Sequence, residues 1–352
     1  MKAMNGGLLG KRARLVGCCA VTVLALAGLA SAVPAGAVTP PVTTYIALGD
    51  SVAYGYTHVK FVENFPNEVP SYFEEGYASV YAMKLRNTKE GTHKGLVLVN
   101  NACPGETSGG LSGNLATNRY GEKEVECKYQ TVLPMHNMYN GHSQLEDTIG
   151  ILTTENKVTK TTPAHPVEVI SLNIGGNDEL EAVALCEREI GEEFANTGKS
   201  KYGATPEGAF NGCLVSHLTE LKEKIGANIE LAGGGIRHYG YTGPLLILNG
   251  YNPNAIVLPG SNQLVKLINE RIEKASIAVG GTYVDVFKKI NPLTGTKAEQ
   301  ASICQFTEMC NPVAQALHEA EVGHALPAND GDIHPTKVGS QAIATLMYAL
   351  VK

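Results

Sequence analysis

The chain has 352 residues, a formal net charge of −6 and a hydrophobic content of 43%. That length holds a sizeable core in one large domain or two small ones, and that apolar content excludes a disordered chain. No basic block occurs in the body of the sequence, which argues against nucleic acid as a partner. Trp is absent and Gly numbers 39, a composition suited to a loop-rich α/β protein.

The N-terminus reads as a secretory signal peptide. Lys11, Arg12 and Arg14 precede an apolar run from Leu15 to Leu29, and Ala30-Ser31-Ala32 and Ala35-Gly36-Ala37 are two small-residue cleavage sites. Residues 1–37 are assigned to this segment and 38–352 to a single domain. Leu15-Val16-Gly17-Cys18 has the form of a lipidation signal, but it lies at the start of the apolar run, not after it. No second apolar run reaches the roughly 18–20 residues that span a bilayer. The expectation is a secreted, monomeric protein without a stable membrane anchor.

The first strand is the apolar run Tyr45-Ile46-Ala47-Leu48, ending in the turn Gly49-Asp50-Ser51. An aromatic-rich stretch follows, Tyr54 to Tyr77, with Phe61, Phe65, Tyr72 and Phe73. A helix is predicted over Ala78–Leu85 and a second strand over Gly95–Asn101. Pro104–Lys128 is polar and turn-rich, and Ser143–Glu155 is helical. A third strand, Pro166–Ile174, ends in Gly175-Gly176-Asn177-Asp178. Helices are predicted over Glu179–Glu193 and Thr205–Leu231, with a break at Gly233–Gly235. Pro244–Asn249 is a fourth strand. In Asn262–Val279, Leu264, Ile268, Ile272, Ala275 and Val279 recur at helical spacing, and Gly280-Gly281 stops the helix. Thr282–Phe287 is a fifth strand, and a last helix follows Pro335.

Strands alternate with helices, and the strands are continuous apolar runs. Both features predict a parallel sheet covered on both faces. Sites in such sheets form at the carboxyl ends of the strands, where these turns lie.

A serine nucleophile needs a base within hydrogen-bond reach and donors for a developing oxyanion. Ser51 is the candidate nucleophile. His334, in Asp330-Gly331-Asp332-Ile333-His334-Pro335-Thr336, is the candidate base. Gly105 lets the backbone approach a ligand closely, and the Asn177 side chain offers an amide N–H. Asp50 is assigned to the turn and Asp178 to a helix cap. His58, His93, His142, His165 and His238 read as solvated, and His324 is assigned no role. The aromatic stretch after Ser51 reads first as a packed loop, and it is also the first choice for an acyl- or alcohol-binding surface.

Gly-Asp-Ser at 49–51, Gly105 within Asn-Ala-Cys-Pro-Gly, Gly-Gly-Asn-Asp at 175–178 and Ile-His-Pro-Thr at 333–336 come in the order of the SGNH hydrolases, the GDSL esterases and lipases. The resemblance spans the chain from Gly49 to Thr336. It implies a three-layer α/β/α sandwich with a central, mostly parallel five-stranded sheet, flavodoxin-like. It also implies Ser51 as nucleophile and His334 as general base. The oxyanion hole would comprise the Ser51 and Gly105 N–H groups and Asn177. The family pattern puts Asp three residues before His, where this chain has Gly331. Asp332 is therefore taken as the third member, with Asp330 or a backbone carbonyl as alternatives. No cofactor or metal is called for. The substrate is a small-molecule or lipid ester, cleaved through an acyl-enzyme.

Beyond the signal segment the cysteines are Cys103, Cys127, Cys186, Cys213, Cys304 and Cys310. An even number in an exported chain implies disulfides. Sequential pairing is favoured because each pair brackets one loop-containing segment, and it resembles the pattern of exported actinobacterial lipases in this family. Two rival functions remain. A metal-dependent phosphoesterase would use the same acidic and imidazole donors, although its Asp-x-His motif usually sits on the first strand, whereas Asp332–His334 lies near the end. A secreted binding protein that kept the fold without catalysis is the other. The Gly-x-Ser-x-Gly elbow of the α/β-hydrolases is missing.

Overall fold

The computed structural model describes residues 42–88, 93–118, 120–138, 142–155, 166–258, 260–292 and 296–351. Of its two compact units, Met1–Thr39 and Pro40–Lys352, the first lies outside the described residues, and with it the whole of the expected signal segment, 1–37. The second is described by itself.

Five strands, β1 (Thr44–Gly49), β2 (Val97–Asn100), β3 (Val167–Asn173), β4 (Leu245–Leu248) and β5 (Thr282–Val284), form one sheet in the order β2-β1-β3-β4-β5. Every pairing is parallel, the flavodoxin order. The helices in chain order are α1 (Ser51–Tyr54), α2 (His58–Asn64), α3 (Tyr77–Arg86), α4 (Ser108–Ser112), α5 (Gln144–Glu155) and α6 (Gly176–Thr197). Then come α7 (Pro206–His238), α8 (Ser261–Ala278), α9 (Val286–Ile290), α10 (Thr296–Phe306), α11 (Pro312–Val322) and α12 (Lys337–Leu350).

The continuous apolar strands feed two cores, because successive side chains leave opposite faces. Tyr45, Ala47, Leu246 and Leu248 pack with Tyr81, Ile290, Ile303 and Met347 from α3, α9, α10 and α12. Ile46, Leu48, Leu172 and Ile247 pack with Leu152, Ile229 and Ile272 from α5, α7 and α8. Full burial of each Leu, Ile or Met side chain among them is worth about 1.5–3 kcal/mol. The result is the expected three-layer sandwich.

Four local expectations change. The glycine triplet does not break α7, which runs through it to His238. A Cβ on Gly233 would stand 2.7 Å from Val279 Cγ2, and one on Gly235 3.3 Å from Leu145 Cδ1. These glycines let α7 press against its neighbours, and that packing outweighs their poor helix propensity. The fifth strand stops at Val284, because Asp285 accepts the Lys288 N–H at 3.0 Å and starts α9. Helices α10 and α11 were not foreseen: α10 is largely polar and buries only Ile303 and Phe306. Finally, the stretch after Ser51 contains α1 and α2, capped by Asp50 and Thr57.

The cysteines pair as Cys103–Cys127, Cys186–Cys213 and Cys304–Cys310. The second joins α6 to α7 beside a small separate core of Ile190 and Ala209. Replacing Cys186 and Cys213 together by Ser is expected to lower stability by about 2–4 kcal/mol in an equilibrium urea titration. Thiol titration of the unreduced chain should find none of these six free, and six free thiols would sink the pairing.

Candidate active site

The carboxyl ends of β1 and β3 define the region where neighbouring connections diverge. Gly49 closes β1 at φ +150°, and a Cβ there would lie 2.4 Å from the Asn173 carbonyl oxygen. Asp50 then caps α1, accepting the Val52 N–H at 2.9 Å, as its turn assignment anticipated. Ser51 is the first residue of that helix and is half-buried.

His334 is delivered by an extended segment hydrogen-bonded to residues 306–309. Gly331 N–H donates to the Met309 carbonyl at 3.0 Å, Glu308 N–H to that of His334 at 2.9 Å, and Thr336 N–H to that of Phe306 at 3.0 Å. Thr336 caps α12 through the Gly339 N–H at 3.0 Å. His334 Nε2 lies 2.8 Å from Ser51 Oγ. Its Nδ1 is hydrogen-bonded to Asp332 Oδ1. Asp332 Oδ2 accepts the His58 backbone N–H at 2.8 Å, so His58 takes part through its backbone. The Tyr56 ring meets the imidazole edge-on at 4.9 Å.

The carboxylate on His334 is that of Asp332. Asp330 bonds His318 Nδ1 through its carbonyl, at 3.1 Å. Position 331 has no room for a side chain: a Cβ there would stand 2.7 Å from the Glu308 carbonyl oxygen and 2.9 Å from that of Met309. The hydrogen-bonded approach to residues 306–309 thus excludes an acid three residues before the histidine, and the position two before supplies it.

Electrostatics bind the pair. Burial alone would push the Asp332 carboxyl up, but the charge and hydrogen bond of His334, with the His58 and His334 N–H groups, hold it down at about 2. Burial likewise disfavours the imidazolium, yet the charge and hydrogen bond of Asp332 leave His334 above its usual value.

Gly105 adopts φ +75°, with the Tyr129 ring lying where a Cβ would point. Among the described residues, neither its N–H nor that of Ser51 has a protein acceptor. Asn177 stands in the first turn of α6, and its Nδ2 donates one hydrogen to the Glu106 carbonyl at 2.9 Å. Asp178 does not cap α6, whose N-cap is Gly175. Its buried carboxylate instead accepts the Ser108 N–H at 2.8 Å and Oγ–H at 2.9 Å and pairs with Lys224 at 3.1 Å.

Ser51 and Asn177 stand on the wall of a cleft of about 1190 Å³, counting its open mouth, bounded by α6, α7 and α8. Its lining is mainly apolar, with Leu180, Val183, Leu218, Leu221, Leu264 and Ile268. Much of the aromatic stretch after Ser51 packs inward, as its first reading had it. Tyr54, Phe73 and Tyr77 are fully buried in the core, while Phe65 and Tyr72 are exposed. The helical periodicity of Leu264 and Ile268 read only as a core face, because a cleft lining and a core face share one pattern.

Glu179 also lines this cleft. Burial, then the charge of Asp178, pushes its carboxyl up to about 8, and burial pushes Glu106 up to about 8. A carboxyl raised in the folded state contributes stability that is full below its unfolded value, 4.5. That contribution is lost as pH rises through the folded value. Asp332, being depressed, acts oppositely, and its contribution is lost only as pH falls from 3.8 through about 2. Unfolding free energy is therefore expected to decrease by on the order of a few kcal/mol from pH 5 to pH 9. Glu179→Gln should flatten the slope, and denaturant midpoints independent of pH over this window would refute it.

Among the described residues, Glu189, Cys213 and His217 bring three potential metal donors within 4.8 Å of one another. The sulfur of that set is committed to a disulfide.

No family model matches the chain, and no curated protein does. Solved structures are similar over most of their length. An extracellular lipase from Streptomyces rimosus is 15% identical, with 88% of this chain and 99% of that one covered and a TM-score of 0.46. A catalytic variant of an acetylxylan esterase from Geobacillus stearothermophilus is 10% identical, with coverage of 89% and 96% and a TM-score of 0.44. A member of the lipolytic protein G-D-S-L family from Veillonella parvula is 13% identical, with coverage of 88% and 98% and a TM-score of 0.38.

Proposed function

We propose that this chain is a secreted serine esterase of the SGNH type, cleaving carboxylic esters with an apolar acyl group. The observation that carries the reading is the continuous relay from Asp332 through His334 to Ser51, with 2.8 Å between His334 Nε2 and Ser51 Oγ. Ser51 Oγ attacks the ester carbonyl while His334 Nε2 takes its proton. Asp332 fixes the imidazole tautomer with the proton on Nδ1 and stabilises the imidazolium that forms. Negative charge moves to the carbonyl oxygen, where the Ser51 and Gly105 N–H groups and the second amide hydrogen of Asn177 receive it. Collapse expels the alcohol, protonated by His334, and leaves an acyl group on Ser51. Water, deprotonated by the same imidazole, attacks the acyl carbon; the bond to Ser51 Oγ breaks, His334 returns the proton to that oxygen, and the acid leaves.

The apolar cleft beside Ser51 supports an acyl chain as the part of the substrate it takes. The six paired cysteines support export.

A fluorophosphonate is expected to label Ser51 and abolish hydrolysis of p-nitrophenyl esters, and chelation is expected to leave turnover intact. Within a series of p-nitrophenyl esters, kcat/KM should rise by roughly tenfold or more from acetyl to medium-chain acyl groups, since each added CH2 buried is worth about 0.8 kcal/mol. A flat series would reject the cleft as the acyl site. Loss of activity on chelation without labelling would favour the metallophosphoesterase reading.

A further inference from the structure

The oxyanion donors assigned above sit on three separate stretches: the start of α1, the turn after β2 and the first turn of α6. Their relative spacing is held largely by buried side chains. Gln144, the first residue of α5, is fully buried and grips the Gly49 peptide groups on both sides. Its Oε1 accepts the Gly49 N–H at 2.8 Å, and its Nε2 donates to the Gly49 carbonyl at 2.8 Å.

The same Nε2 donates to Glu106 Oε2 at 3.0 Å. Glu106, also fully buried, accepts the Cys127 N–H on both carboxyl oxygens at 3.3 and 3.2 Å. Its own carbonyl accepts Asn177 Nδ2 at 2.9 Å. Gly110 makes room for this carboxyl, since a Cβ there would stand 2.0 Å from Glu106 Oε1. A continuous line of bonds thus runs from Gly49 through Gln144 and Glu106 to Asn177. Neither Gln144 nor Glu106 lines the cleft.

We propose that Gln144 and Glu106 are positioning residues, which set the spacing of the Ser51, Gly105 and Asn177 donors around the reacting oxygen. The inference rests on the esterase reading above. Donors aimed at a developing charge act only when their geometry is fixed in advance. Loosening them weakens transition-state binding while leaving ground-state binding nearly untouched, so kcat falls and KM does not.

The test uses the full chain and a p-nitrophenyl ester. Gln144→Leu is expected to lower kcat by about 10–100-fold, keep KM within about twofold and leave the pH dependence set by His334 in place. Glu106→Gln keeps an acceptor oxygen for Gln144 or Cys127 and should retain most of the rate. Combined with Asn177→Ala, Gln144→Leu should cost less than the product of the two single losses, because both act on one oxyanion. If Gln144→Leu does not fold, Gly110→Ala disturbs Glu106 from the other side and should give the same split.

An unchanged kcat overturns the proposal, as do matched changes in kcat and KM, a displaced pH profile or fully multiplicative losses. A wild-type chain that neither labels nor turns over sinks the esterase reading and this inference with it. A wild type that labels normally, beside a Gln144→Leu variant with full kcat, sinks the positioning role alone.

Discussion

Ser51→Ala is expected to lower kcat on p-nitrophenyl esters by on the order of 10^5–10^6-fold, with the folded chain otherwise unchanged. The substitution removes one oxygen from a half-buried position at the start of α1, where Asp50 still caps the helix. Fluorophosphonate labelling should vanish. His334→Ala should be about as damaging, since removing either member of a nucleophile–base pair disables the unit. The double variant should be little worse than either single one. Full turnover in Ser51→Ala would end the nucleophile assignment, whatever the distance to His334.

Asp332→Asn should lower kcat by about 10^4-fold. An amide in place of the carboxylate cannot stabilise the imidazolium, and when its N–H2 faces Nδ1 it favours the wrong tautomer. The pH profile adds a second readout. Neutral His334 is the base in the proposed mechanism, so kcat/KM should rise with pH through a value above the usual histidine 6.5, the direction set by Asp332. In Asp332→Asn the remaining activity should rise through a lower pH, because the charge that raised the imidazole is gone and burial is left to push it down. Asp330→Asn should leave both rate and profile within about twofold, since Asp330 contributes its backbone carbonyl, and that to His318. Equal losses in the two variants would refute the assignment of Asp332.

Much of the fold was legible because the strands are continuous apolar runs that alternate with helices, the pattern of a doubly covered parallel sheet. The relay was legible in Ser51 and His334, which follow strand and precede helix in recognisable turns. Other features depend on contacts that no local pattern reports. Gly331 is silent in sequence, and its meaning appears only against the Glu308 and Met309 carbonyls. Asp178 reads as a cap because Asp caps helices; its bonds to Ser108 join residues 70 positions apart. Gln144 looks like an ordinary helix-start residue until it meets Gly49. The apolar cleft escaped notice because Leu264 and Ile268 carry the same periodicity whether they face a core or an opening.

Ser51 and His334 are 283 positions apart, with Gly105 and Asn177 between them. During synthesis the serine emerges early, and the imidazole arrives only after most of the chain has left the ribosome. Until then the hydroxyl is an ordinary alcohol beside an incomplete set of donors. Under the proposed function, the order of the residues would act as a timer, withholding hydrolytic power from the nascent chain until its last helix can dock.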